Sequence, residues 1–319
     1  MYRPKIVSVD TNTVSYGDID FSPVEALGDV SFYGVLTPAE LEEAAKDADF
    51  LLVNKAEVTR ALVEKCPRLK YVGTYSTGFN NVDIAALKER RIVASNVPGY
   101  STNAVCQHVF SLMLMFAGKT DIYSASVAEG DWIKSGTFCY FPWAMTEICG
   151  KTLGIYGFGS IGRAVARAAE GFGMNVIVHT RSVPEDCPYE LVGRDEIFSR
   201  SDFLSFHCPL NGQTANIINA RTLALMKPTA VIINTARGAL ADEQALADAL
   251  NAESIAGACL DVLSAEPMRK DCPLFGAKNC IITPHIAWGP KETRTRLVGI
   301  VADNIRAFLS GKPQNVITK

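Results

Sequence analysis

The chain has 319 residues, enough for two domains, of which 48% are hydrophobic and 20% are charged. This balance is typical of soluble globular proteins and excludes disordered and fibrous classes. The 31 lysines and arginines oppose 34 aspartates and glutamates, giving a net charge of −3, so no basic excess predicts a nucleic-acid partner.

No segment predicts a membrane or a secreted location. The longest apolar run, near Leu112–Ala117, is far shorter than the ~20 residues of a membrane helix. The first residues lead into a strand pattern without the apolar core of a signal peptide. We therefore expect a cytoplasmic protein with no membrane contact.

Nine cysteines and four histidines raise the question of disulfides or metals. The cysteines are odd in number and form no CxxC pair, and the histidines lack the spacing of zinc ligands. We expect reduced, mostly buried thiols and no metal site.

In chain order, short β-branched runs alternate with longer helical patterns, which predicts βαβ units and parallel sheets. Thr37 suits the N-cap of the first helix, and Ser101 or Thr102 suits that of a long apolar helix reaching about Gly118. This first series predicts strands Lys5–Val9, Phe50–Val53, Leu69–Gly73 and Arg91–Ala94, and helices Thr37–Ala48 and Thr59–Lys65.

A second series begins at Lys151 and contains six short apolar strands with helices between them. That is the element count of a doubly wound dinucleotide-binding domain. A final helix over about Lys291–Leu309 is followed by Gly311, which suits a helix C-terminus. The six strands are Thr152–Tyr156, Asn175–His179, Phe203–Phe206, Val231–Asn234, a run around Ile255–Leu260, and Cys280–Thr283.

A GxGxxG sequence directly follows the first strand of this series and opens a helix. Gly157 permits the tight turn, Gly159 lets the backbone approach a pyrophosphate, and Gly162 lets the helix pack on the strand. The free N–H groups and positive dipole of the helix N-terminus favour phosphates. The segment predicts a dinucleotide site.

The end of the second strand of the series bears on the choice between NAD(H) and NADP(H). The acid that accepts from the ribose hydroxyls of NAD is expected there, but the sequence is Thr180-Arg181-Ser182. An arginine suits the 2′-phosphate of NADP, so NADP(H) is favoured. Two alternatives stay open: Arg181 stacks on adenine or points to solvent, or Glu185 or Asp186 folds back toward the ribose.

Ionisable side chains follow three further strands of the series. Taken one at a time, each has an ordinary structural explanation: Arg237 as a surface ion pair, Glu266 as a loop carboxylate and His285 as a buried histidine. Together they meet the needs of 2-oxo acid reduction by a nicotinamide. Those needs are a cation for the carboxylate, a proton donor for the carbonyl oxygen, and a carboxylate that keeps the donor charged.

With these motifs the chain resembles the D-2-hydroxyacid dehydrogenase family over nearly its full length. The resemblance implies that Arg237 binds the substrate carboxylate and carbonyl, and that His285 is the acid/base with Glu266 as its partner. The matching segments are Gly73–Asp83, Val97–His108, Gly150–Gly162, Asn234–Gly238, Asp261–Pro267 and Thr283–Trp288.

The resemblance also implies the residues that hold the two ligands. Backbone N–H groups around Thr77 and Gly78 take the substrate carboxylate, and Asp261 holds the nicotinamide carboxamide. Substrate contacts are implied for Ser76, Thr77, Gly78, Arg237, His285 and Trp288. Cofactor contacts are implied for Thr102, Gly157, Gly159, Ser160, Ile161, Gly162, Thr180, Arg181, Ser182, Cys208, Pro209, Thr214, Thr235, Ala236 and Asp261.

The family fold has two doubly wound parallel-sheet α/β domains, a Rossmann cofactor domain inserted in a flavodoxin-like substrate domain. It places the NAD(P)-binding domain at about 101–287 and the substrate domain at about 1–100 and 288–319. The helix after Thr102 is typically part of a homodimer interface in this family, so we expect a homodimer.

Within the family, three segments look most like glycerate dehydrogenases, which are hydroxypyruvate reductases: Gly130–Trp132, Phe138–Phe141 and His285–Trp288. We therefore expect NAD(P)-dependent reduction of hydroxypyruvate or glyoxylate to D-glycerate or glycolate. The alternatives are a D-lactate or phosphoglycerate dehydrogenase, or a non-catalytic co-regulator that senses NAD(H). Glu266 argues against the formate dehydrogenase branch, which has glutamine at this position.

Overall fold

The computed structural model describes residues 3–182 and 185–319. It divides the chain into two compact units, Met1–Ser101 with Gly289–Lys319, and Thr102–Trp288. Each of the two boundaries between the units lies one residue later in the chain than the sequence predicts. The second unit is one uninterrupted stretch, whereas the first is assembled from two segments.

The first unit is built on a five-stranded parallel sheet with the strand order β2-β1-β3-β4-β5. This is the flavodoxin-like order of a doubly wound sheet. The strands are β1 (Lys5–Ser8), β2 (Asp29–Phe32), β3 (Phe50–Val53), β4 (Tyr71–Thr74) and β5 (Val93–Ser95). The helices between them are α1 (Thr11–Val14), α2 (Ser22–Glu25), α3 (Pro38–Ala45), α4 (Arg60–Lys65) and α5 (Ile84–Glu89).

Local chemistry explains where these elements begin. The hydroxyl of Thr37 accepts from the Glu40 N–H, and the Glu40 carboxylate accepts from the Thr37 N–H at 2.8 Å, a capping box that starts α3. Strands β3 and β4 are buried along their whole length, as expected of central strands in a parallel sheet covered on both faces.

Several sequence predictions for this unit were wrong in detail, among them the start of β4, which is Tyr71 and not Leu69. Strand β2 was missed, because its Asp29–Phe32 sequence alternates weakly and lies at the sheet edge. Strand β5 begins at Val93 because Arg91 has φ +55, outside the strand region. Helix α3 ends at Ala45, where the chain turns and the Ala48 N–H bonds the Ala45 carbonyl.

The second unit is built on a seven-stranded parallel sheet with the order β12-β11-β10-β9-β6-β7-β8. Counted within the unit, this is the Rossmann order with one further strand. The prediction of a doubly wound fold is confirmed. The strands are β6 (Thr152–Tyr156), β7 (Asn175–His179), β8 (Glu190–Leu191), β9 (Phe203–Phe206), β10 (Val231–Asn234), β11 (Gly257–Leu260) and β12 (Cys280–Ile282).

Strand β8 was not predicted, because two residues at a sheet edge carry no readable pattern. The long helix begins at Thr102, so Ser101 precedes it, and it ends at Gly118 as predicted. None of the helices in the described ranges is long and apolar enough to cross a membrane. The helices are α6 (Thr102–Gly118), α7 (Thr120–Ala128), α8 (Asp131–Ser135), α9 (Ser160–Gly171), α10 (Arg194–Arg200), α11 (Ala220–Leu223) and α12 (Glu243–Asn251), with a 3₁₀ turn at Gly238–Leu240.

The last helix, α13 (Lys291–Leu309), returns the chain to the first unit. The ring of Phe308 lies 5.4 Å from that of Phe50 and 5.0 Å from that of Tyr71, between centroids. Beyond the helix, the Ile317 N–H donates to the Ala94 carbonyl at 2.8 Å. The C-terminal segment therefore completes the core and one sheet edge of the first unit.

Candidate active site

The turn between β6 and α9 requires glycine for two separate reasons. Gly157 has φ +99, and a Cβ there would lie 2.8 Å from the Cys208 nitrogen. A Cβ at Gly162 would overlap the carbonyl oxygen of Gly157, so the helix start packs directly on the turn. The turn expected at Gly157 and the close packing expected at Gly162 are present, while their contacts with a cofactor stay predictions.

Gly159 differs from its neighbours, because a Cβ there would have no described atom within 4 Å. This open space adjoins the first N–H groups of α9, which begins at Ser160 and Ile161. Free N–H groups at a helix N-terminus favour anions. The turn therefore fits the pyrophosphate of a dinucleotide.

The hydroxyl of Thr235, directly after β10, gives a second indication of a missing ligand. It is buried and has no hydrogen-bond partner among the described residues. Leaving a buried polar group unpaired costs roughly 1–3 kcal/mol. A ligand group reaching this position would satisfy it, which fits the cofactor contact implied for Thr235.

The turn after β9 is held by its own side chains. The Thr214 hydroxyl donates to the Pro209 carbonyl at 2.7 Å and accepts from the Asn211 N–H at 2.9 Å. Burial raises the pKa of Cys208 to about 11, so its thiol stays protonated at neutral pH. Cys208 is therefore suited to packing rather than to nucleophilic chemistry.

The segment Thr180-Arg181-Ser182 follows β7 and is largely exposed. The Thr180 hydroxyl donates to the Ser182 carbonyl at 3.3 Å. Within residues 3–182 and 185–319, Arg181 makes no hydrogen bond or ion pair. Its guanidinium is therefore uncommitted in the described structure.

Asp186, one of the two acids that the sequence offered for the ribose, has another partner. Its carboxylate accepts from Arg163 of α9 at 3.0 and 3.2 Å, and that hydrogen bond holds its pKa below the usual range. The Arg163 guanidinium also lies 4.6 Å from the centre of the Phe158 ring. The alternative of Asp186 at the ribose would require this ion pair to break.

Arg237 follows β10 in a loop shaped by Asn234. The Asn234 amide donates to the Arg237 carbonyl at 2.8 Å and accepts from the Ala236 N–H at 3.0 Å. The half-buried guanidinium donates to the Ala236 carbonyl at 2.6 Å, its one side-chain hydrogen bond in the described structure. Four of its five N–H donors are thus available to a ligand.

The loop of Arg237 packs on the turn that carries Glu266. A Cβ at Gly238 would overlap the backbone of Leu263, so only glycine permits this approach. The Leu263 N–H in turn donates to the Glu266 carboxylate at 3.1 Å.

His285 and Glu266 lie within hydrogen-bond distance, as expected from the sequence. The His285 Nδ1 lies 2.7 Å from the Glu266 Oε2, and the two side chains are 28% and 35% exposed. With Nδ1 donating to the carboxylate, Nε2 is left for another partner. A histidine oriented by a carboxylate in this way is able to act as a general acid or base.

Asp261 fixes the backbone around His285. It is 1% exposed; one carboxylate oxygen accepts from the Thr283 hydroxyl at 2.6 Å and the Ile286 N–H at 2.8 Å. The other accepts from the Ala287 N–H at 2.9 Å. Burial raises the pKa of Asp261, but these hydrogen bonds, with one from His108, outweigh it and hold the pKa below the usual value.

His285 itself has φ +56, a left-handed conformation that costs a side-chain-bearing residue roughly 1–2 kcal/mol. The His285 N–H donates to the Asp261 carbonyl at 2.9 Å. Asp261 therefore holds the strained backbone of His285 as well as the residues that flank it. The predicted contact of Asp261 with the nicotinamide carboxamide stays a prediction.

Sequence reasoning missed two residues that support this site. His108 of α6 contacts Thr283 at 2.9 Å, and Glu243 of α12 accepts from the Ser264 N–H at 2.6 Å. A polar residue on an apolar helix was the available signal for His108. The sequence gives no signal for Glu243, because an acid in the first turn of a helix is common.

The segment Ser76–Gly78 of the first unit follows β4. The Thr77 hydroxyl donates to the Val97 carbonyl at 2.7 Å, and the Asn96 amide donates to the Thr77 carbonyl at 2.7 Å. In the described ranges, the backbone N–H groups of Thr77 and Gly78 have no hydrogen-bond acceptor. Consecutive free N–H groups suit an anion.

The remaining observations concern two predicted ligand contacts and the question of a metal ion. Thr102 is the first residue of α6, and Trp288 is half-buried three residues after His285. Neither position tests the contact implied for it. The described residues contain no group of three or more histidine, cysteine, aspartate or glutamate side chains that could hold a metal ion.

Comparison with known proteins assigns the family. Residues 110–287 match the model of the D-isomer specific 2-hydroxyacid dehydrogenase NAD-binding domain. A hydroxypyruvate reductase from Blautia hydrogenotrophica is 40% identical over 99% of this chain and 100% of its own. A glycerate dehydrogenase from Methylorubrum extorquens is 40% identical over 88% of this chain and 89% of its own.

Solved structures agree with this assignment. The acyclic imino acid reductase Bsp5, in complex with NADPH and D-Arg, superposes with a TM-score of 0.86 and 34% identity. The match covers 98% of this chain and 99% of that structure. The chain belongs to the D-isomer specific 2-hydroxyacid dehydrogenase family, an oxidoreductase family with an NAD-binding Rossmann domain.

Proposed function

We propose that the protein reduces a small 2-oxo acid, hydroxypyruvate or glyoxylate, to D-glycerate or glycolate with NAD(P)H. The observation that carries the proposal is the 2.7 Å contact between His285 and Glu266. The turn of Glu266 packs on the loop of Arg237, whose guanidinium has uncommitted donors in the described structure. The names of the two relatives support the choice of substrate, because each is about 40% identical to this chain.

The chain's residues divide the reaction between them. The guanidinium of Arg237 would hold the substrate carboxylate and carbonyl through parallel hydrogen bonds. The nicotinamide, when bound, would supply a hydride for the carbonyl carbon. His285 would give the proton on Nε2 to the carbonyl oxygen, with Glu266 holding the ring through Nδ1. One hydride and one proton together convert the ketone to the alcohol.

For the cofactor, the structural fit at Gly159 and Thr235 supports the contacts predicted from the resemblance. NADPH is favoured because Arg181 is exposed and uncommitted, while Asp186 is engaged by Arg163. An acid that would repel the 2′-phosphate does not end β7. The further contacts proposed are those of Thr102, Ser160, Ile161, Thr180, Ser182, Cys208, Pro209, Thr214, Ala236 and Asp261.

Substrate contacts are also proposed for the segment Ser76–Gly78 and for Trp288. The free N–H groups of Thr77 and Gly78 support a carboxylate-binding role for that segment. The indole of Trp288 would contact the substrate's remaining substituent. We also propose a cytoplasmic location.

A homodimer completes the proposal. Large apolar side chains after α6 are exposed, among them Ile133 at 87% and Phe138 at 96%. Exposed apolar surface of this kind marks a contact with another protein surface. Sedimentation velocity should therefore find a dimer, and the double variant Ile133→Asp, Phe138→Asp should sediment as a monomer. A wild-type monomer at micromolar concentration would contradict this part.

The reaction itself is tested by a panel of 2-oxo acids with both cofactors. Hydroxypyruvate, glyoxylate, pyruvate and 3-phosphohydroxypyruvate are compared by kcat/KM, following the absorbance of the reduced nicotinamide. Hydroxypyruvate or glyoxylate should give the highest value, with NADPH at least as effective as NADH. Preference for pyruvate or the phosphorylated acid would move the protein to the D-lactate or phosphoglycerate class. Cofactor binding without turnover on any acid would indicate the NAD(H)-sensing co-regulator.

A further inference from the structure

His108 lies on α6, outside the three segments that carry the predicted catalytic residues. Its side chain is only 16% exposed, and its Nε2 lies 2.9 Å from the Thr283 hydroxyl and 3.4 Å from the Asp261 carboxylate. A nearly buried imidazole with two polar neighbours is fixed in place. We propose that His108 is a positioning residue that holds the backbone of His285 through Thr283 and Asp261.

The direction of the hydrogen bonds in this chain follows from the number of protons available. The Thr283 hydroxyl has one hydrogen, and it donates that hydrogen to the Asp261 carboxylate at 2.6 Å. The hydroxyl can therefore only accept from His108, so the Nε2 of His108 carries a proton. The bonds run in one direction, from His108 to Thr283 to Asp261, and each polarises the next.

The carboxylate at the end of this chain is the anchor of the His285 segment. It accepts from the N–H groups of Ile286 and Ala287, the two residues after His285. Thr283, two residues before His285, is held by the same carboxylate. His285 between them has a left-handed backbone, which persists only when its surroundings enforce it.

Without His108, the Thr283 hydroxyl would lose the hydrogen bond that it accepts, and the Asp261 carboxylate would lose the imidazole 3.4 Å away. The hydrogen bond from Thr283 to the buried carboxylate would then be less polarised and weaker. A carboxylate held less firmly would in turn loosen the hydrogen bonds from Ile286 and Ala287. His108 thus acts on His285 from a distance and does not itself touch the substrate.

The inference rests on the proposed role of His285 in proton transfer, but one measurement of it does not require turnover. Hydrogen exchange followed by mass spectrometry on a peptide covering residues 283–288 reports the bonds to Asp261. The variants are His108→Leu, which removes the donor, and His108→Gln, whose amide nitrogen replaces Nε2. Ser111→Ala on the same helix is the control, because among the described residues its hydroxyl bonds only the Gln107 carbonyl within that helix.

In His108→Leu, exchange in residues 283–288 should be about tenfold faster, which is within the range expected for losing one buried hydrogen bond. The kcat should fall about tenfold, with KM for the 2-oxo acid changing less than threefold. His108→Gln and Ser111→Ala should both stay within about threefold of the wild type.

Three outcomes decide the proposal. Unchanged exchange and kcat in a folded His108→Leu variant would overturn it. Equal losses in His108→Leu and His108→Gln would also overturn it, because the donor at Nε2 would then not be what matters. A wild type that reduces no 2-oxo acid would refute the proposed function, while the exchange measurement would still decide the role of His108.

Discussion

Two groups of loops leave the carboxyl ends of the same parallel sheet, and each contains a histidine. His207, after β9, has only the Ser205 hydroxyl as a side-chain partner in the described ranges, at 2.9 Å, and burial lowers its pKa to about 3. His285, after β12, is paired with the carboxylate of Glu266. The two histidines thus differ in the side-chain partner that each has, a hydroxyl for His207 and a carboxylate for His285.

The arginines of the two groups differ in the same way. Arg237 is half-buried in a loop packed on the Glu266 turn, whereas Arg181 is exposed and uncommitted in the described structure. The loops after β10, β11 and β12 are therefore fixed by contacts with one another, whereas the Arg181 segment after β7 contributes a side chain with few constraints. In the proposed function, the first group carries the reaction chemistry and the segment after β7 sets the choice of cofactor.

The strongest test of this division is at Arg237. Arg237→Ala and Arg237→Lys should each lower kcat/KM roughly 30- to 1,000-fold. This corresponds to a loss of about 2–4 kcal/mol of transition-state stabilisation. Lysine fails because an ammonium cannot span carboxylate and carbonyl as a planar fork does. Steady-state kinetics on hydroxypyruvate checks this, and a lysine variant with near wild-type kcat/KM would refute the assignment.

The Glu266–His285 pair is tested by removing the charge of Glu266. Glu266→Gln keeps the hydrogen bond to Nδ1 but removes the carboxylate charge, so kcat at neutral pH should drop about tenfold or more. Steady-state kinetics on hydroxypyruvate checks this against the wild type, and an unchanged kcat in the variant would show that the two residues do not act as a pair.

For the second group, Arg181→Ala should change cofactor choice and little else. A charge-assisted hydrogen bond contributes about 1.5–3 kcal/mol before solvent exposure reduces it, so the NADPH-to-NADH ratio of kcat/KM should fall about tenfold. Asp186→Asn is the matched control, because its carboxylate is already engaged by Arg163. A strong NADH preference that survives Arg181→Ala would contradict our interpretation of this loop.

For His207 we expect a smaller effect, on the free energy of unfolding. Its pKa of about 3 in the folded protein lies below the ordinary 6.5, so below pH 6.5 the unfolded chain takes up a proton that the folded chain excludes. The free energy of unfolding should therefore decrease as pH falls from 6.5, by up to ~1.4 kcal/mol per pH unit. His207→Gln should flatten this dependence in urea titrations between pH 6.5 and 4.5. Parallel dependences would show that His207 does not contribute.

Arg237, Glu266 and His285 were predictable because each follows an apolar strand that has a clear pattern, and parallel strands end at one edge of a sheet. The His108 network was not, since His108 and Thr283 are 175 residues apart and no local pattern shows that their side chains meet. The short edge strands β2 and β8 were missed for want of length. The engagement of Asp186 by Arg163 depends on rotamers of exposed side chains, which the sequence does not encode locally.

The return of α13 to the first unit also has a consequence for synthesis. During translation, residues 102–288 emerge as a continuous stretch and can fold as a unit, whereas Phe50 and Tyr71 still lack the ring of Phe308. The first sheet is made early but receives its last packing partner only after nearly the whole chain has been synthesised. Until then, the faces of Phe50 and Tyr71 that Phe308 covers are open to water and to the rest of the nascent chain.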